Sequence, residues 1–259
     1  MTRSGRAAVI LFVGVVTARL VLSGGFGWFV QQHMRYPLAA AAVALLVFGA
    51  YELIGASRGT ADDDHDPHDQ GHDHVDGHHH DHDHGWAGPR VGWLLALPLL
   101  VLVTVAPTGL GAEAAARVDA YVPTETDNRF GPLPDSDGPL EMKVLDFLDR
   151  AAWDPEESLN GRTIRLEGLV VNDPEITDGF KLTRFMVSCC AADGIPLQVT
   201  VRGDGPALEN DTWVIADVVW TPPEVPYAEQ EGPFAVEADL LRVEVVPGGA
   251  PQDPYESPY

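Results

Sequence analysis

Basic residues are scarce in this chain: 16 lysines and arginines face 39 acidic residues, leaving a formal charge of −23. That balance argues against a nucleic-acid partner, which asks for a basic face. Cysteine is scarcer, two residues placed side by side at 189 and 190, so a Cys-x-x-Cys redox motif is missing. A single histidine, His33, lies outside one short run, which leaves the C-terminal half without a general-base imidazole. Also absent are a phosphate-binding glycine loop, an HExxH zinc-protease motif and a GxSxG elbow. These absences together describe a non-enzymatic chain.

What is present divides into unlike halves. The first 112 residues hold nearly all the long apolar runs, whereas from Gly111 onward 29 acids meet 10 bases and the composition is that of a soluble domain. Three stretches, 7–30, 37–56 and 91–112, have about the 20 residues that cross a hydrocarbon core of roughly 30 Å. Arg3 and Arg6 precede the first, so it could be taken for a signal peptide, but a second span within a few residues favours a retained anchor. Basic residues in the short loops set the orientation. Arg3, Arg6, Arg58 and Arg90 fall on one side and Arg35 on the other, which places the N-terminus in the cytoplasm and residues 113–259 outside. Arg19 either contacts a partner helix or polar path, or snorkels from a first span that ends near it. Glu52 lies close to the cytoplasmic end of the second span.

Between the second and third spans runs DDDHDPHDQGHDHVDGHHHDHDH, residues 62–84, with nine histidines and nine aspartates. Nothing in it can be buried. Neutral imidazole is the commonest protein ligand for zinc and suits copper, iron and nickel as well. His65, His68, His72, His74, His78, His79, His80, His82 and His84 offer a surplus of ligands without fixed spacing. Such a surplus predicts weak, exchangeable capture of zinc or another divalent metal rather than one rigid site; the bland alternative is a solvated linker.

After the third span, polar and Pro/Gly-rich residues predict a linker over 113–139. Asp137 can cap a following helix, Pro139 suits its first turn, and Leu140, Val144, Leu145 and Leu148 recur at helical spacing up to Pro155. From Gly161 the period changes to two. Strands are predicted around Ile164–Val170, over 180–190, through Leu197, Val199 and Val201, over 212–220, and from Phe234 onward. The last slips phase between Leu240 and Leu241, as a β-bulge would make it do. The fold class is thus a helical membrane anchor of about three spans plus a mainly-β exported domain over 140–247. One helix precedes a five-stranded OB-like barrel, a small sandwich being the alternative, and a tail follows over 248–259. Residues 1–56 carry two of the spans, 57–90 the disordered His/Asp loop.

Cys189 and Cys190 sit in MVSCCAAD. On an extended strand neighbouring side chains point to opposite faces, so at least one thiol should reach the surface or a loop. With Asp193 nearby the pair could form a soft metal site, a strained vicinal disulfide, or plain packing at a strand end.

The segments GRTIRLEGLV, FKLTRFMVSCCAADGIPLQVTV and TWVIADVVW, with a late PY, resemble the YcgQ-like family of bacterial permease subunits, most specifically through Thr183–Asp193. The early spans, His-rich loop and third span opening at Trp93 and Leu94 match as well. The resemblance implies a small accessory subunit in the bacterial plasma membrane, working beside a larger multi-span permease, with no substrate supplied. Three functions follow as expectations: metal handling for a transporter, thiol redox chemistry at the cysteine pair, or protein binding by the exported domain.

Overall fold

The structure, a computed structural model, describes residues 3–58, 109–125, 130–136, 138–230 and 234–258. The His/Asp-rich run and most of the third expected span lie outside them. Two compact units emerge, one holding the two long helices, the other residues 24–34 together with everything from 108 onward.

In the first unit, α1 (Arg3–Ser23) and α2 (Arg35–Arg58) are both long and apolar enough to cross a membrane, with mean hydropathies of 1.9 and 2.0 in their spanning portions. Their outward faces stay apolar, with Phe12, Val15, Val43, Val47 and Tyr51 all exposed, which suits lipid rather than water. Glycines let the pair close up: a Cβ on Gly49 would lie 2.8 Å from Leu11 Cγ, and one on Gly14 would lie 3.1 Å from Leu46. The first expected span is shortened from 7–30. Helix α1 stops at Ser23 because Gly24 adopts φ 75°, the left-handed conformation that ends helices, and Phe26–Gln31 belong to the other unit. Arg19 is exposed four residues before that stop, the position from which a side chain snorkels.

The second unit begins with this connector, 24–34, and resumes at residue 108. The last residues of the expected third span are part of it, with a short helix α3 (Ala112–Ala115) held where Ala112 N–H donates to Asp211 Oδ1 at 2.6 Å. Next come β1 (Leu140–Glu141), α4 (Val144–Trp153), β2 (Thr163–Val171), β3 (Gly179–Met186), β4 (Ile195–Arg202), β5 (Trp213–Val219), β6 (Val236–Val245) and β7 (Tyr255–Glu256). Five of these close a ring in the order β2-β5-β6-β4-β3 and back to β2, antiparallel except between β4 and β6. Alternating residues fill it: Ile164, Leu166, Val170, Leu182, Leu197, Val199, Val201, Val214, Ala216 and Val218 are buried, with α4 adding Val144, Phe147 and Leu148. A second, smaller cluster of Ala112, Leu169, Phe185, Val187, Trp213 and Tyr255 lies apart from it.

All five expected strands are present, and the phase slip is a bulge. Asp217 faces Arg242 while Val218 faces Leu240, so Leu241 has no partner and turns outward. Two expectations need correction. The helix begins at Val144, not beside Pro139, because Leu140 and Glu141 pair in parallel with Ile164 and Arg165. The second strand stops at Met186 rather than reaching 190, since β7 pairs with Phe185 and Met186 and the chain then turns. Strands β2 and β3 touch only over Leu169–Val171, beside Gly168, whose Cβ would lie 2.7 Å from Thr183 O. Beyond that point they part, and β1 and β7 occupy the opening.

Candidate functional site

The turn after β3 carries both cysteines. Asp193 organises it: Ser188 N–H donates to Oδ1 at 3.0 Å and Cys189 N–H to Oδ2 at 2.9 Å, while a 3₁₀ turn over Ala191–Asp193 brings the carboxylate back beneath them. Cys190 is extended, at φ −149° and ψ 163°. The ligand atoms of Cys189, Cys190 and Asp193 consequently lie within 4.8 Å of one another. Opposite-facing side chains, expected of a continuing strand, do not arise, because the strand has already ended. Cys189 is exposed, Cys190 partly so, and both thiols are free.

The electrostatics of the turn oppose a thiolate. The Cys189 thiol is pushed up to about 11, chiefly by its hydrogen bond to Asp193, then by Cys190 and by burial. Asp193 feels desolvation upward most strongly, but the Cys189 thiol and the N–H groups of Cys189, Ser188 and Cys190 together hold its carboxyl below the usual range. A free thiol so placed is a poor nucleophile. A bound cation would reverse that preference, because coordination stabilises thiolate directly.

The connector 24–34 forms the wall beside this turn. Ala191 N–H donates to Phe29 O at 2.7 Å and Gln31 N–H to Cys189 O at 3.2 Å, with Val30 bridged antiparallel to Cys190. The buried Gln31 side chain donates to Val187 O at 2.7 Å and to Glu256 O at 3.0 Å. Tyr255 Oη donates to Trp28 O at 2.7 Å. Sequence reasoning assigned this segment to a span and a loop and missed it as part of the site. It also set His33 apart from the exported domain, whereas His33 is exposed on the 3₁₀ turn Gln32–Met34 of the same unit. No local pattern announces such a docking; the signal was only that residues 24–34 carry no charge and several aromatics.

The nine loop histidines lie outside the described residues, so of the expected metal ligands the structure brings together Cys189, Cys190 and Asp193. A second concavity, about 460 Å³, opens where β2 and β3 part and is lined by Gln31, Lys143, Arg165, Arg184, Tyr255 and Glu256 among others. Arg165 is already held by Asp217 in a two-pronged pair at 2.7 and 2.9 Å. Glu256 caps α4, accepting from Val144 N–H at 2.8 Å and Leu145 N–H at 2.9 Å.

Comparison with curated proteins found no match, and neither did comparison with solved structures. Residues 144–236, which run from the start of α4 to the first residue of β6 and include both cysteines, match the DUF1980 C-terminal domain, a domain of unknown function.

Proposed function

We propose that this chain is a membrane-anchored, non-enzymatic subunit whose exported β unit takes a zinc-like divalent metal at Cys189, Cys190 and Asp193. The observation that carries the reading is the convergence of two free sulfurs and one carboxylate oxygen within 4.8 Å at the protein surface. Sulfur suits zinc and other borderline or soft ions, and three protein ligands leave a fourth tetrahedral position for water or an incoming ligand. Redox chemistry at the same pair is less favoured, since the thiol lies far from its ionised form and no imidazole among the described residues joins the cluster.

The membrane arrangement has its own support. Connector 24–34 and residues 108–259 form one compact unit, and α1 and α2 are long and apolar enough to cross a bilayer. The uncharged sequence run 91–112 has the length for a third crossing, which would put residues 113–259 on the same side as Arg35. The excess of arginines at 3, 6, 58 and 90 makes the side of the His/Asp run cytoplasmic. There the nine imidazoles would collect cations, and the resemblance to YcgQ-like subunits supplies the context of a larger permease in a bacterial membrane. The ring order, with β4 and β6 parallel, supports the OB-type reading of the exported unit.

Titration of the purified full chain with cobalt(II) tests the metal site, because a thiolate-to-cobalt charge-transfer band reports sulfur ligation and is silent for the histidine run. The band is expected in the native chain, lost in Cys189→Ser and Cys190→Ser, and bleached by zinc. A chain that binds cobalt with no such band has no sulfur site.

A further inference from the structure

We infer that metal occupancy at Cys189, Cys190 and Asp193 controls how firmly the connector 24–34 is docked on the cysteine turn. The inference rests on the metal reading above and adds a consequence to it. Its basis is that the main chain of the two cysteines is itself the docking strip. Cys189 offers its carbonyl to Gln31 N–H at 3.2 Å, Cys190 is bridged to Val30, and Ala191 N–H reaches Phe29 O at 2.7 Å. The same three residues, 189–191, link two of the ligands to the 3₁₀ turn that presents the third.

Coupling requires that a ligand bind one state better than the other. Here the difference is geometric. Adjacent cysteines on free extended chain diverge. Their convergence with Asp193 depends on the main-chain course at 189–191, which on one side is fixed by Asp193 and on the other by the connector. Undocking the connector removes both of its hydrogen bonds to that strip and lets the ligands scatter; a cation pulling the ligands together restores the course that the connector recognises. Docking is independently anchored away from the site by the Gln31 side chain on Val187 and Glu256, and by Tyr255 on Trp28. The connector is the chain between Ser23 and Arg35, the ends of α1 and α2.

Hydrogen exchange on the full chain in lipid nanodiscs, with and without cobalt(II), tests this. Amides of residues 29–31 and 191 are expected to slow by roughly 5-fold or more on binding, while Val199 and Ala216 in the ring stay unchanged. Gln31→Ala removes two anchors and no ligand, so by reciprocity it should weaken sulfur-ligated cobalt binding by about the same factor. A charge-transfer band with unaltered connector exchange and an unaltered Gln31→Ala affinity would overturn the coupling and leave the metal site standing. No band at all removes both.

Discussion

The β unit contains two apolar clusters built in opposite ways, and they differ in what they can do. The larger fills the ring, and its residues come from consecutive strands and the helix before them, each contributing every second or every third to fourth position. The smaller joins residues 110–115, the ends of β2 and β3, Trp213 and Tyr255, beside the connector and the cysteine turn. One is a core drawn from one continuous run of elements, 144–238; the other is a junction where pieces far apart in the chain meet. Rigid cores make scaffolds, and low-stability junctions are where proteins place switches and binding sites. The cysteine turn lies at the junction.

Truncation gives the largest expected effect and the sharpest test of that contrast. Phe147 is fully buried in the ring core, and Phe147→Ala should cost about 3–5 kcal/mol and lower the whole unit's unfolding transition. Tyr255→Ala removes a buried ring and the hydroxyl that bonds Trp28 O, but on the junction side. It should free connector amides in hydrogen exchange while Val199 and Ala216 in the ring stay protected. If both variants melt the unit as one, the two clusters are a single cooperative core and the contrast fails.

A smaller effect separates the turn from ordinary surface cysteines. Asp193→Asn removes the main cause of the raised Cys189 thiol, so alkylation of the full chain by iodoacetamide at pH 8 should quicken. The thiolate fraction grows with the falling pKa and intrinsic nucleophilicity declines by about half as much on a logarithmic scale, which leaves a net gain of a few-fold, with about tenfold as the ceiling. Unchanged alkylation would mean that Asp193 does not hold the thiol.

The same contrast explains what was legible from residues alone. Ring strands announce themselves through period-two alternation, and even the bulge at Leu241 is visible as a slip of one residue between Leu240 and Leu241. The cysteine pair stood out by its adjacency and its nearby aspartate. The junction did not, because its bonds join positions far apart: Gln31 to Glu256, Trp28 to Tyr255, Ala112 to Asp211. Helix α4 shows the cost of that blindness. Its start was placed at a local cap, Asp137 with Pro139, whereas Lys143 at the true cap position makes no side-chain cap bond and Glu256, 112 residues beyond Val144, supplies the acceptor.

That distant cap gives the smallest and most counterintuitive expectation. Burial is the largest influence on Glu256 and raises its pKa, against the N–H groups of Leu145 and Val144 and the charges of Arg184 and Lys143, which pull it back. A carboxyl raised in the folded state contributes most to stability at acid pH, and the contribution is lost as pH climbs from the ordinary glutamate range through the folded value. Glu256→Gln keeps an acceptor for one N–H and carries no charge to bury. The two chains should therefore be nearly equal in stability at acid pH, with the variant ahead at neutral pH. Thermal melts of both chains across that range decide it. A native chain that instead gains on the variant as pH rises would mean that the two N–H donors outweigh burial, and the tail would then close on α4 through its negative charge rather than in spite of it.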